Sequence, residues 1–141
     1  MTPILSFPPT ALKLKKKSTK FEVFCLIRKK WLVLTPEEWV RQHVVGYLIE
    51  SCGIPSGRIA LEKGFLYHKR KKRWDIVTYN IDGEPELLVE CKGFEVGLTE
   101  ESVRQISAYQ HVVKAKKLIL TNGIDCFVFD FEKWHRGIES I

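Results

Sequence analysis

Apolar positions change period several times along this chain, and each change predicts an element. Phe21 to Arg28 and Trp31 to Leu34 are rich in aromatic and β-branched residues on either side of a basic turn, which predicts a β-hairpin. Thr35-Pro36-Glu37-Glu38 then predicts a helix start, with Thr as N-cap, Pro at the first helical position and Glu completing a capping box. Trp39, Val40, His43, Val44, Tyr47 and Leu48 follow at spacings of three and four, one apolar stripe that Gly53 brings to a stop. His43 lies inside that stripe and reads as structural, while Glu50 near the helix end reads as solvated.

Beyond Gly53 the period shortens to two. Arg58 to Tyr67, RIALEKGFLY, predicts the first core strand, with Gly64 as a bulge or bend and Glu62 interrupting the apolar pattern. HKRKKR forms a basic turn leading into WDIVTYNIDGEPELLVECK, Trp74 to Lys92, where two alternating apolar runs flank a turn rich in Asn, Asp, Gly and Pro: a second hairpin. Thr99-Glu100-Glu101 suits a second helix start, expected to run to about Lys114 with Val103, Ile106, Ala108, Tyr109, Val112 and Val113 on its buried side. Lys117 to Leu120 and Cys126 to Phe131 predict two more strands about an Asn122-Gly123 turn. The tail from Glu132, with Trp134 and His135, shows no role. The resulting order is hairpin, helix, three strands, helix and two strands. It predicts an α/β (α+β mixed sheet) class with a helix on each face.

A chain of 141 residues with 45% hydrophobic content fits one domain with a real core. We place that domain at 21–141, after a basic segment 1–20 for which partial disorder or an edge strand is expected. The net charge of +6 is gathered in runs at Lys15 to Lys17, Arg28 to Lys30, Lys69 to Arg73 and Lys114 to Lys117, which favours a polyanionic partner. Cys25, Cys52, Cys91 and Cys126 lie far apart without a Cys-x-x-Cys, so neither a zinc site nor a disulfide framework is indicated, and reduced thiols in a cytoplasmic protein are expected. No run approaches membrane-span length, and no Walker A sequence is present.

The charges of the second hairpin carry the candidate chemistry. Asp75 opens its first strand, and Glu90 and Lys92 close its second. Alternation puts Glu90 and Lys92 on one face and Cys91, expected to be buried, on the other. A Glu-x-Lys by itself is weak evidence, since roughly every second chain of this size carries one by chance. Here it ends an apolar strand paired with one that begins with Asp. Two carboxylates and the backbone carbonyl of Cys91 could hold Mg²⁺ (or Mn²⁺), and the Lys92 ammonium could orient water or stabilise phosphate charge. The chemistry this suits is metal-assisted phosphodiester hydrolysis.

The arrangement resembles the PD-(D/E)xK nuclease superfamily, and more narrowly the N-terminal nuclease domain of type I restriction enzyme R subunits. The likeness is carried by LTPEEWVRQHVVGYLIE, RKKRWDIVTYN, LLVECKG, and QISAY followed by LILTNG, together about residues 34 to 123. It implies a restriction-endonuclease-like core and a restriction-modification role. Asp75 and Glu90 would be metal ligands, Lys92 the catalytic lysine, and Gln105 and Tyr109 the auxiliary Gln-x-x-x-Tyr. It also implies an acid near the metal at Glu62, although from the residues alone an exposed edge position is equally open. Trp74 stands where the nominal motif has Pro. The implied partner is DNA, touched by Lys69, Arg70, Lys71, Lys72 and Arg73, with a homodimer or other restriction subunits alongside. Two further readings are a non-catalytic nucleic-acid-binding or assembly module retaining the fold, and a scaffold with a salt-bridged sheet edge. The scaffold would have to bury its charges without a metal, at a cost of several kcal/mol unless well paired.

Overall fold

Three short strands precede the first helix: β1 (Leu14–Lys17), β2 (Lys20–Phe24) and β3 (Trp31–Val33) form an antiparallel sheet in that order. This computed structural model describes residues 3–109, 112, 114–130 and 133–141. The expected hairpin is β2–β3, and the basic segment before it supplies β1 as an edge strand, one of the two expectations for it. Leu5 and Phe7 are buried in the main core, and the Ser6 amide donates to the Gly123 carbonyl at 2.8 Å. Part of the segment ahead of residue 20 therefore packs with the main body. Two apolar residues isolated among prolines carry no period by which their burial could be read.

Helix α1 (Pro36–Glu50) begins at Thr35, whose Oγ1 accepts the Glu38 amide at 3.0 Å. Only that half of the capping box forms, because the Glu38 carboxylate turns instead to Arg41 and Gln42. Val40, Val44, Val45 and Leu48 face the core, yet Arg41, Gln42 and His43 are buried as well. The helix is covered on its outer side too. Gln42 Oε1 accepts the Leu26 amide at 3.0 Å from the small sheet. A Cβ at Gly46 would lie 2.3 Å from Thr10 Oγ1, so the missing side chain lets the N-terminal segment close over the helix. His43 Nδ1 lies 2.8 Å from the Trp39 carbonyl, with its ring edge-on to Trp39, a structural role as expected.

The main sheet runs β4 (Ile59–Tyr67), β5 (Arg70–Tyr79), β6 (Pro85–Cys91), β7 (Lys117–Thr121), β8 (Cys126–Asp130) and β9 (Lys133–Arg136), neighbours in that order. All pairs are antiparallel except β6–β7, whose parallel crossover carries α2 (Glu100–Tyr109). One face packs Ile76, Val89, Cys91, Ile119 and Val128 against α1. The other packs Trp74, Val77, Leu88, Leu118 and Phe129 against Ile106 and Tyr109 of α2. The mixed class with a helix on each face is the one the element order predicts, and Cys91 is in the core as its strand phase requires. No helix among the described residues is long and apolar enough to cross a membrane.

Several boundaries differ from the expectations. Helix α2 is described over Glu100–Tyr109 and does not reach the expected Lys114, since Val112 and Lys114 are not helical; Val112 is exposed, and Val113 lies outside the described residues. The tail forms the edge strand β9, with Trp134 packed on Phe129. The basic turn shrinks to His68 and Lys69, both left-handed at φ 49° and 65° as a two-residue hairpin loop requires, and Arg70 to Arg73 lie within β5. Gly64 pairs with Arg73 in unbroken register, and the irregularity of β4 falls instead at Glu62, φ 54°.

Candidate active site where two strands part

Pairing between β5 and β6 stops at Ile76 and Val89, one residue short of Asp75 and Glu90. On the other side, β4–β5 pairing passes from Leu61–Ile76 to Lys63–Trp74 without a Glu62–Asp75 pair. The phase of β5 changes across this gap, since Trp74 and Ile76, two residues apart, pack on opposite faces. Asp75 is thereby freed from the ladder, and its Oδ2 accepts the Cys91 amide at 2.6 Å. A carboxylate oxygen thus takes the amide that a continuing hairpin would have given to a carbonyl.

Burial pushes the Asp75 carboxyl up to about 6. The Cys91 amide opposes the shift, Glu37 and Glu90 add to it, and Arg41 opposes it. Glu90 is raised as well, by burial first, with Lys92 pulling it down, Glu37 pushing it up and Lys72 pulling it down. These directions describe two partly buried carboxyls, Asp75 and Glu90, that also feel the charge of the exposed Glu37 in the first turn of α1. The Thr35-Pro36-Glu37-Glu38 stretch reads in sequence as a cap, and its second role shows only once α1 is laid on the sheet. Gly93, just after Lys92, permits this approach, because a Cβ there would come within 3.1 Å of Pro36 Cβ.

Behind the carboxyls lies an ion network that is buried at Arg41 and Glu38 and half-exposed at Glu62 and Arg28. Arg41 binds Glu38 through Nε and Nη2 and Glu62 through Nη1 at 3.2 Å, while Glu38 also accepts Gln42 Nε2 at 2.9 Å. Glu62 is further held by Arg28 at 2.8 Å and approached by Arg73 at 3.6 Å. Its carboxyl is kept below the usual range, chiefly by the Arg28 hydrogen bond and then by Arg41, against the opposing effect of burial. A non-glycine residue in the left-handed region is costly, and three arginines converge where Glu62 adopts it. Polar residues at 38, 41 and 42, spaced three and four apart within an apolar helix, were the signal for this network.

The remaining site candidates divide between the faces. Lys92 is near enough to Glu90 to lower its pKa. Gln105 Nε2 donates to the Tyr109 hydroxyl at 3.1 Å, and the buried Tyr109 ring meets Trp74, Phe65 and Tyr67 edge-on, backing the strand that carries Asp75. The basic run is split by strand alternation. Arg70 and Lys72 line a cleft of about 440 Å³ with Tyr67, His68, Gln105 and Tyr109. Lys71 and Arg73 line another with Glu62 and Leu66, and Lys72 borders both clefts. Lys69 sits in the turn.

All of the candidate donors are hard oxygens, which suits Mg²⁺ or Mn²⁺. Among the described residues no three His, Cys, Asp or Glu side chains stand together as a ready-made metal cage. Asp75 and Glu90 would therefore need backbone oxygen and water to complete a coordination sphere, as magnesium sites commonly do.

A structure similar to this one is a fragment described as an HsdR subunit of a type I restriction enzyme from Vibrio vulnificus YJ016, with TM-score 0.56 and 20% identity over 74% of this chain. The present chain spans 23% of that one, and at this identity the likeness speaks to the fold. None of the curated proteins matches the chain. Residues 36–141 match the family described as the type I restriction enzyme R protein N terminus (HSDR_N), a span from the first residue of α1 to the last residue of the chain. The chain therefore belongs to the type I restriction enzyme R protein N-terminus family.

Proposed function

We propose that this domain is a divalent-metal-dependent, endonuclease-like module of the PD-(D/E)xK kind that hydrolyses DNA phosphodiester bonds. The observation that carries the reading is the end of β5–β6 pairing at Ile76 and Val89, which leaves two carboxyls of raised pKa just past the last paired residues of the two strands, with Lys92 near Glu90. Family membership supports a restriction-modification setting, with DNA and other restriction subunits as partners. A homodimer would bring the second site that a double-strand cut requires.

Asp75 and Glu90 are the ligands in this reading, with the Cys91 carbonyl as a third oxygen. Mg²⁺ or Mn²⁺ held there would supply Lewis-acid stabilisation of phosphate charge. The chain's own parts are distinct. The Cys91 amide fixes the Asp75 side chain across the gap between the strands. Lys92 orients water or stabilises the charge developing on phosphate. Arg70 and Lys72 receive the backbone in the cleft lined by Gln105 and Tyr109, which position Lys92 or a phosphate oxygen. Glu62 remains with its arginines and acts by holding Arg41 close to Asp75.

Calorimetric titration with Mn²⁺ and a nicking assay on supercoiled plasmid test the assignment. Glu90→Gln should lose most divalent affinity, whereas Lys92→Ala should keep it and lose cleavage by a factor on the order of 10² or more. Wild type that binds metal and DNA but nicks no substrate would point to the non-catalytic binding module. Wild type without metal binding would sink the ligand roles of Asp75 and Glu90.

A further inference from the structure

The chain's positive charge is distributed very unevenly. Residues 1–36 hold eight lysines and arginines against one glutamate, leaving fifteen against sixteen in residues 37–141. The whole excess thus lies ahead of the body of the family match, and most of it is on or beside the sheet β1–β2–β3. Strand register sorts these charges. Lys15 pairs with Glu22 and Glu22 with Val33, Lys17 with Lys20, and Phe24 with Trp31, so Lys15, Lys17, Lys20, Phe24 and Trp31 share one face with Val33 and a single acid, Glu22, 3.7 Å from Lys15. The opposite face buries Val23, while Leu14, Lys16 and Phe21 toward the β1–β2 turn are exposed.

The outward face has aromatic floors beneath its cations. Lys15 Nζ lies 4.4 Å from the centre of the Trp31 ring and Lys13 Nζ 5.6 Å from that of Phe24, and the two rings meet edge-on at 5.3 Å. A lysine stem laid on a ring keeps its ammonium in place, which lowers the ordering cost of meeting a fixed row of anions. The sheet is also anchored beside the candidate site, through Arg28 to Glu62 and through Leu26 to Gln42. We propose that the outer face of β1–β2–β3 is a docking surface for the phosphate backbone of duplex DNA, holding the substrate for a body that has no net positive charge of its own. The inference rests on the DNA reading above.

The test is fluorescence anisotropy with a short duplex in EDTA, titrated with salt, using the full chain. Replacing Lys13, Lys15 and Lys17 together with Ser should weaken binding on the order of tenfold at physiological salt and reduce the salt slope by up to about 3, near one unit per lost phosphate contact. Replacing Lys114, Lys116 and Lys133 with Ser removes the same charge and should leave the slope unchanged. Trp31→Leu, which keeps every charge, should weaken binding a few-fold with little change of slope. Equal slopes in the two triple variants, with both shown folded by circular dichroism, would overturn the proposal and leave the nuclease reading intact. So would preferential binding to vesicles of anionic lipid. A slope lost only in the Lys13, Lys15 and Lys17 variant, from a protein that binds no Mn²⁺, would sustain the surface while removing the nuclease.

Discussion

The two faces of the main sheet are finished in different ways. On the α1 face a helix is sealed between the sheet and the N-terminal segment, and Glu38, Arg41, Gln42 and Glu62 satisfy one another in the little water that remains. On the α2 face a helix whose described residues, Glu100–Tyr109, bury Ile106 and Tyr109 rests on an aromatic cluster, and its polar side is open to solvent. Asp75 lies where these two environments meet. The difference suggests that the α1 face sets the electrostatics of the site and the α2 face mainly its shape and access.

The strongest way to break that contrast is to cut the network at its centre. Arg41→Ala takes the guanidinium partner from Glu38 in a buried setting, and one of its arginines from Glu62, and should cost about 3–5 kcal/mol in urea unfolding. A loss below about 1 kcal/mol would mean that water already reaches the network. On the α2 face, Gln105→Ala at an exposed position should change stability by less than about 0.5 kcal/mol.

A second, intermediate effect comes from Asp75 itself. Its folded value of about 6 lies above the ordinary 3.8, so the folded state binds the proton more tightly than the unfolded chain. Stability without metal is then highest when the group is protonated. It falls as pH rises from about 4 through about 6, by at most about 3 kcal/mol. Asp75→Asn keeps an oxygen for the Cys91 amide and removes the penalty, so it should stabilise the metal-free protein at pH 7 by about 1–3 kcal/mol. It should also flatten this part of the pH profile in thermal melts. A variant less stable than wild type at pH 7 would contradict the burial of the charged form.

The smallest effect on stability is expected from Tyr109→Phe, which removes only the bond from Gln105 and should cost no more than about 1 kcal/mol. It sharpens the comparison through activity. If the pair positions Lys92 or phosphate, nicking should fall several-fold while Mn²⁺ affinity and melting stay near wild type. Unchanged nicking would reduce the pair to packing.

What could be read from the sequence follows the range of the forces involved. Thr35 and Pro36 act within one turn, so the start of α1 was legible to the residue. The alternation around Asp75 and Glu90 foretold the hairpin and the burial of Cys91. The bend at Glu62 was not visible, because it goes with arginines at 28, 41 and 73 that only the folded chain assembles, and Gly64 was the more obvious local suspect. Glu37 was hidden for the same reason. The strand β9 escaped because three of its four residues are polar and its one large apolar side chain, Trp134, sets no period.

One backbone contact bears on how such a chain is made. Ser6 hydrogen-bonds through its amide to Gly123 and through its hydroxyl to Ile124, at 2.8 and 2.6 Å, across almost the entire length of the chain. During synthesis from the N-terminus, the segment that straps α1 cannot settle until the β7–β8 turn has left the ribosome. Until then the side of α1 at Gly46 lacks its cover of Thr10, and the residues ahead of Lys13, none with a charged side chain, wait without their anchor.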